Sequence, residues 1–299
     1  MTGLCLGTSP DSWGVWFSED GRQLPYSRFL DEVAAAGYAW VELGPYGYLP
    51  TDPAVLRREL DRRGLRASGG LVSVALHRPG DWEQAVGVVR EVAALTAAMG
   101  AHHLVLIPPS YRDLKTGAWT ESPKLTERQR TAMYAAAGRL GRMLLDDYDV
   151  RLCVHPHADS HLETQPEIEH FLARTDPGLV WLCLDTGHVA YGGGDNVELI
   201  RRFGDRIGYV HLKQVDPWVL RQVREYDLPF VEAVRRGVVV EPPAGIPDAA
   251  AVVAELDQLG AAMFVIAEQD LYPCAADVPL PIAIRTRALL NSRGLRAGA

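Results

Sequence analysis

The 299-residue sequence is short of cysteine and of basic residues, and each shortage excludes a class of protein. Its four cysteines form no CxxC pair, which predicts buried free thiols in a reducing compartment. The 30 lysines and arginines are outnumbered by 38 aspartates and glutamates, so the formal net charge is −8. Because phosphate groups are neutralised by clustered Lys and Arg, we expect neither nucleic acid nor an anionic membrane surface as a partner.

Two further absences concern the location of the protein. No apolar run reaches the length of a membrane-spanning helix. The opening MTGLCLGTSP lacks the basic and apolar regions of a signal peptide. We therefore expect a cytoplasmic protein, and the 47% of hydrophobic residues is enough to build a buried core.

Short apolar runs of β type alternate with amphipathic helical stretches along the whole chain. The predicted strands are Gly3–Thr8, Ala39–Leu43, Arg66–Val74, His102–Ile107, Arg151–His155, Val180–Leu184, Ile207–Leu212 and Met263–Glu268. The predicted helices are Tyr26–Ala36, Pro53–Arg63, Trp82–Met99, Thr126–Asp147, Pro166–Ala173, Asn196–Phe203, Asp248–Leu259 and Pro281–Asn291. Strands separated by helices indicate a parallel sheet, and eight strands close a barrel.

The competing architecture is an open, doubly wound α/β sheet. No GxGxxG follows the first strand, so that sheet lacks its usual dinucleotide-binding signal. We therefore expect one (β/α)₈ TIM-barrel domain spanning residues 1–299. Two connections are longer than a barrel needs, Pro108–Leu125 and Lys213–Pro247, and the second contains a short helical piece at Leu228–Arg236. Long loops after barrel strands are typical of active sites.

Ionisable residues occur at the ends of the last four predicted strands. They are His155, Asp185, His211 and Glu268. Since strand side chains alternate with a period of two, the pattern sends all four into the top of the barrel. Two imidazoles and two carboxylates that converge there suit a divalent cation such as Mn²⁺, Co²⁺ or Zn²⁺. We therefore predict these four residues as metal ligands.

The motifs that contain these residues resemble a known family. They are His155-Pro156-His157, Leu184-Asp185-Thr186-Gly187-His188, His211-Leu212-Lys213 and Glu268-Gln269-Asp270. Together they resemble the xylose-isomerase-like TIM barrels of the sugar phosphate isomerase/epimerase superfamily, and within it the inosose (2-keto-myo-inositol) dehydratases. The resemblance implies a metal at the ends of the fifth to eighth strands, with Mn²⁺ or Co²⁺ expected first and Zn²⁺ or Mg²⁺ as alternatives.

The resemblance also implies a reaction, the dehydration of a keto-cyclitol such as 2-keto-myo-inositol. In such a reaction the metal stabilises the enediolate that forms when the α-proton leaves. Glu268 is the first candidate for the base and Glu42, on the second strand, is the second. His157 and His188 are candidates for the acid or for orienting the substrate, and Lys213 for neutralising the developing oxyanion.

Three other functions remain as alternatives at this point. A ketose epimerase or aldose–ketose isomerase would use the same metal site, but most epimerases of this fold have a glutamate where His155 stands. A DNA-repair endonuclease needs a basic track that the charge of −8 does not favour. A non-catalytic or complex-dependent subunit of the family would bind no metal.

The expected partner is a small polyol or keto-sugar, and association into a homo-oligomer is left open. The aromatic residues Trp13, Trp16 and Phe17 of the first loop are expected either to line the pocket, as the first-strand loop of the family does, or simply to pack in the core. His77, His161 and His170 are expected in loops or on helix surfaces. Two departures from the dehydratases, Gln214 and the segment Val240–Asp248, are expected at the substrate rim.

Overall fold

A closed barrel of parallel strands forms the centre of the protein in the computed structural model, which describes residues 3–295. The strands are β1 (Leu4–Thr8), β2 (Trp40–Glu42), β3 (Arg66–Ser73), β4 (His103–Ile107), β5 (Arg151–Val154), β6 (Val180–Asp185), β7 (Ile207–Leu212), β8 (Gln214–Val215), β9 (Val239–Val240) and β10 (Met263–Ala267). Barrel order is β1-β10-β7-β6-β5-β4-β3-β2, and β8 and β9 form a separate antiparallel pair.

Helices cover the outside of the barrel and fill the longer connections. They are α1 (Tyr26–Ala35), α2 (Pro53–Asp61), α3 (Trp82–Ala98), α4 (Glu127–Tyr148), α5 (Gln165–Arg174), α6 (Thr186–Tyr191), α7 (Asn196–Phe203), α8 (Pro217–Glu225), α9 (Phe230–Arg235), α10 (Ala249–Gln258) and α11 (Pro279–Ser292). Within residues 3–295, none of these helices has both the length and the apolar character needed to cross a bilayer.

The predicted TIM barrel is confirmed, and its eight strands agree with the observed ones to within one residue at either end. The eight predicted helices agree to within two residues. The predicted single domain, residues 1–299, extends beyond the described residues at both ends and stays a prediction.

Two helices were not predicted. Every residue of α6 is buried, so this helix has no polar face and gives no amphipathic signal. α8 begins at Asp216-Pro217, where the Asp216 carboxylate accepts hydrogen bonds from the backbone N–H groups of Trp218 and Val219. The same Asp-Pro cap begins the predicted helix α2, at Asp52-Pro53. The sequence therefore contains a start signal for α8 within the long connection.

The alternation of side chains along the strands divides the core into two layers. Cys153, Cys183 and Ile266 belong to a small cluster inside the barrel. Their chain neighbours, exemplified by Leu152 and Leu182, belong to the large cluster that packs beneath the helices. The period-two assignment of faces is therefore confirmed. All four cysteines are free, as expected, but only Cys153 and Cys183 are buried, whereas Cys5 and Cys274 are half-buried.

Two glycines of α4 test how closely this helix packs on the barrel. A Cβ added at Gly141 would lie 2.1 Å from the carbonyl oxygen of Leu179, whereas one added at Gly138 would meet nothing within 4 Å. We expect Gly138→Ala to raise the free energy of unfolding by about 0.5–1 kcal/mol, because alanine favours the helix. Gly141→Ala should lower it by about 1–3 kcal/mol through overpacking. Urea denaturation measures both, and equal stabilisation by the two substitutions would contradict the packing.

Candidate functional site

The four predicted metal ligands lie together at the carboxyl ends of neighbouring strands, and all are buried. His155 Nε2 lies 3.2 Å from Asp185 Oδ2. The same oxygen lies 3.7 Å from His211 Nδ1, which in turn lies 3.1 Å from Glu268 Oε2. Parallel pairing explains this placement, since Asp185 and His211 are register partners on β6 and β7. The side chains thus form one continuous chain of contacts across four strands.

Glu42 joins this group from the opposite wall of the barrel. It is fully buried at the end of β2, and its Oε2 accepts a hydrogen bond of 2.9 Å from His211 Nε2. Its other oxygen, Oε1, is buried without a hydrogen-bond partner. Burial raises the pKa of Glu42, and the nearby His211 lowers it only in part. Glu42 therefore holds the His211 ring from the side opposite to Glu268.

Lys213 is the one ammonium ion in direct contact with these carboxylates among the described residues. Its Nζ lies 3.2 Å from Asp185 Oδ2, 3.2 Å from Glu268 Oε2 and 2.9 Å from Asp270 Oδ2. Its backbone is fixed by Thr186, whose hydroxyl donates to the Lys213 carbonyl at 2.6 Å and accepts from the Lys213 N–H at 2.9 Å. The buried carboxylates Glu42, Asp185, Glu268 and Asp270 outnumber this ammonium group.

An excess of buried carboxylates needs compensation, because an unpaired charge in a protein interior is costly. Burial raises the pKa of Asp270, although the nearby Lys213 lowers it in part. Burial would also raise the pKa of Asp185, but Lys213, His155 and His211 outweigh it and lower this pKa to about 2. His211 has its pKa raised well above the ordinary value, since Cys183, Glu268 and Glu42 overcome the effect of its burial.

The donor atoms fit a divalent cation. Three sets of ligand atoms each lie within 4.8 Å of one another, namely Glu42/His211/Glu268, His155/Asp185/His188 and His155/Cys183/His211. Glu268 Oε1 and His155 Nδ1 are buried without a hydrogen-bond partner. Imidazole nitrogen and carboxylate oxygen together suit borderline metals such as Mn²⁺, Co²⁺ and Zn²⁺. A cation bound by these residues would compensate the buried carboxylates directly.

His157 and His188 lie side by side next to the cluster, with ring centroids 4.0 Å apart and ring planes inclined by 35°. His157 Nδ1 lies 2.7 Å from the carbonyl oxygen of Ala158, which can only accept, so the proton of the neutral ring is on Nδ1 and Nε2 has the lone pair. His188 faces a donor at each nitrogen: the Ala158 N–H donates to Nδ1 at 3.1 Å, and the Lys213 ammonium group lies 3.4 Å from Nε2. Burial lowers the pKa of His157 to about 3.

A cavity of about 320 Å³ opens above the cluster. Its polar wall includes His157, Asp11 and Asp270, while Glu42, His188, Lys213 and Glu268 are not among the residues that line it. Sequence analysis did not single out Asp11 or Asp270. Asp270 could have been found, because it lies two residues after Glu268 and the period-two alternation of strand side chains places both on the same face. Asp11 lies in a 3₁₀ turn, Pro10–Trp13, where no strand period applies.

Both alternatives for the aromatic residues of the first loop occur, since two of them line the cavity and the third packs in the core. Trp16 and Phe17 line the cavity. Trp13 is buried in the core, where its ring lies 5.1 Å from that of Phe29 and its Nε1 donates to Glu32 at 2.8 Å. The loop turns at the 3₁₀ segment, so residues on the two sides of this turn face different layers.

Two other expectations from the sequence need correction. His77 and His161 lie in loops, as expected, but both are buried and their rings are in contact at 4.6 Å, so they are not surface residues; His170 is exposed on its helix, as expected. Gln214 does not line the cavity. Its side chain binds the loop Val240–Asp248, donating to the Gly245 carbonyl at 3.0 Å and accepting from the Gly245 N–H at 3.3 Å. The two departures at the expected rim therefore contact each other.

We expect Lys213→Met to lower the free energy of unfolding by about 3–5 kcal/mol in the presence of EDTA, because its three carboxylate contacts are lost in a buried site. The pKa of Asp185 is about 2 in the folded protein and about 4 in the unfolded chain. The ionised Asp185 carboxylate therefore stabilises the fold fully above about pH 4, and this stabilisation is lost as the pH falls through the folded pKa. The difference between wild type and variant should therefore shrink below about pH 4.

Urea denaturation at several pH values measures this dependence. Lys124→Met is the matched control, since Lys124 is exposed. Equal, pH-independent losses in the two variants would contradict the role assigned to Lys213.

Comparisons with known proteins identify the family. The model of the xylose isomerase-like TIM barrel family matches residues 30–282. The inosose dehydratase of Geobacillus kaustophilus (strain HTA426) is 30% identical over 279 residues, which is 91% of this chain and 89% of that protein. The inosose dehydratase of Salmonella typhimurium is 30% identical over 271 residues, 89% of each.

Solved structures show the same fold. The IolI protein with a bound zinc atom superposes with a TM-score of 0.71 at 16% identity and 98% coverage of each chain. An L-ribulose 3-epimerase has a TM-score of 0.70 at 18% identity, covering 96% of this chain and 93% of that one. These matches confirm the expected likeness to an enzyme of the inosose dehydratase type, and the chain belongs to the xylose isomerase-like TIM barrel family.

Proposed function

We propose that the protein is a divalent-metal-dependent dehydratase that acts on a keto-cyclitol such as 2-keto-myo-inositol. The observation that carries this proposal is the buried cluster of imidazoles and carboxylates next to a cavity that is largely apolar but has His157, Asp11 and Asp270 in its wall. Asp270 links the two, because it lines the cavity and pairs with Lys213. The relatives named inosose dehydratase, which align over most of both chains, supply the substrate class.

The proposed metal ligands are His155, Asp185, His211 and Glu268, with Mn²⁺ or Co²⁺ as the first candidates. A cation held by these residues would polarise the substrate ketone and an adjacent hydroxyl group. Glu42 positions His211 through its hydrogen bond of 2.9 Å. These residues lie deeper than the cavity wall, so the substrate approaches them from above.

We assign the removal of the α-proton to Glu268. Its Oε2 is engaged by His211 and Lys213, whereas Oε1 has no hydrogen-bond partner and can accept a proton. Glu42, whose Oε1 is also free, is the second candidate. In the elimination the C–H bond at the α-carbon breaks, and the carboxylate of the base, Glu268 or else Glu42, takes up the proton. The C–O bond of the β-hydroxyl group then breaks, and its oxygen takes up a proton and leaves as water.

The two neighbouring histidines differ in what they can offer the substrate. His157 lines the cavity and has its lone pair on Nε2, so it accepts a hydrogen bond from a substrate hydroxyl and orients the ring. His188 and the Lys213 ammonium group meet at 3.4 Å, and we assign to this pair the donation of a proton to the departing hydroxyl oxygen. Asp11 and Asp270 add carboxylate acceptors to the cavity wall, which suits a polyhydroxylated ligand.

The first test is an ultraviolet progress curve with 2-keto-myo-inositol and Mn²⁺, since dehydration yields a conjugated product that absorbs where the substrate does not. We expect absorbance to rise in the presence of metal and to stay flat after treatment with EDTA. A flat trace with metal demonstrably bound would overturn the inosose assignment, and chromatography of a ketose panel would then test for epimerisation. A flat trace without bound metal would favour the non-catalytic alternative.

The second test separates the two glutamates. Glu268→Gln should lower kcat by about 10²–10⁴-fold, because the amide cannot take up the α-proton. Glu42→Gln should lower kcat less, because its amide oxygen still accepts the hydrogen bond from His211. Its main effect should be weaker metal binding, because the substitution removes a negative charge beside the ligand His211. Steady-state kinetics with metal analysis measures both, with the exposed Glu225→Gln as control. Full turnover by Glu268→Gln would remove Glu268 as the base.

A further inference from the structure

A second group of metal-binding side chains lies outside the central cluster, in the loops that follow β3, β4 and β5. It consists of His77, Glu121 and His161. The side chains of both histidines are 1% exposed, and that of Glu121 is 18% exposed. One ligand atom from each lies within 4.8 Å of the others. Loops of this kind seldom bury two imidazoles and a carboxylate together, because their backbones lie on the surface.

The tautomer of His161 gives the strongest indication of a ligand. Its Nε2 lies 2.8 Å from the carbonyl oxygen of Ser122, and a carbonyl oxygen can only accept, so Nε2 holds the proton of the neutral ring. Nδ1 then has a lone pair, is buried without a hydrogen-bond partner, and lies 4.0 Å from Glu121 Oε1. Two electron-pair donors that face each other in a buried site repel unless a positive charge lies between them.

The other two residues complete a set of donors around the same space. His77 Nε2 donates a hydrogen bond of 3.0 Å to Glu121 Oε2 and would lose this proton on binding a cation. The two imidazole rings are in edge contact, with centroids 4.6 Å apart. Arg78 is the cation nearest to the carboxylate, with Nη2 2.9 Å from Glu121 Oε1. Its side chain is 44% exposed, so it compensates Glu121 from the solvent side and leaves the buried side open.

We propose that His77, Glu121 and His161 bind a second divalent cation of the Zn²⁺ type, separate from the central site. Two imidazole nitrogens and one carboxylate oxygen are ligands that zinc takes in proteins, and solvent would supply the fourth position. The Ser122 carbonyl fixes the His161 ring and Arg78 orients the carboxylate, as outer partners do in known metal sites. The cation would link the three loops that follow β3, β4 and β5. Ser73 at the end of β3 and Ser110 after β4 line the cavity, so the role of the cation is to stabilise this part of the cavity wall.

Cobalt binding to the full-length protein tests this proposal, because Co²⁺ replaces Zn²⁺ and its visible absorption reports tetrahedral nitrogen and oxygen ligands. His161→Gln is the informative variant. The Gln amide nitrogen can still donate to the Ser122 carbonyl, but no atom replaces Nδ1. His170→Gln is the matched control, since His170 is exposed on α5. Glu121→Gln provides a second variant in case His161→Gln fails to fold.

Equilibrium dialysis with Co²⁺ gives the number of bound ions, and Asp185→Asn weakens the central site so that the two can be counted apart. We expect His161→Gln and Glu121→Gln to lose one equivalent that His170→Gln retains, in both the wild-type and the Asp185→Asn background. With EDTA the thermal midpoints of these variants should match that of wild type, whereas the rise on adding Co²⁺ should be smaller. An unchanged number of ions in both variants would overturn the second site, whatever the central site binds.

Discussion

Compensation of buried negative charge is the constraint on which the mouth of this barrel depends. Closing eight parallel strands brings Asp185 and Glu268 to the same end of the barrel, and β2 adds Glu42 from the opposite wall. Lys213 alone supplies an ammonium group in contact with them, among the residues described. The remaining balance comes from protons or from a cation. Metal affinity, protonation and stability of the fold are therefore linked in one cluster.

The sequence was sufficient to predict the barrel and the residues that converge at its mouth. Strand periodicity is a local property, and it placed Cys153 and Cys183 inside the barrel and sent His155, Asp185 and His211 to its top. Closure brought them together without further information, because parallel neighbours end at the same edge.

What could not be predicted lies where no period applies. α6 is buried on all sides, so its burial comes from packing and not from an amphipathic pattern. Asp11 reaches the cavity from a 3₁₀ turn, and His77 meets His161 through loops that approach only in the folded chain. Contacts between residues far apart in an irregular backbone depend on the tertiary fold, and a single sequence gives no measure of them.

The two carboxylate oxygens of Asp185 make different contacts. Oδ1 accepts the His188 N–H at 2.7 Å and caps α6, while Oδ2 faces Lys213 and the imidazoles. A glutamate at this position would add one methylene, so its carboxylate could not cap α6 and face the cluster at the same time. The cap and the cluster contact therefore cannot be changed separately by substitution at this position. Laboratory evolution of this scaffold towards other substrates would have to vary the cavity wall, around residues such as Trp16 and Leu114, and keep the strand ends fixed.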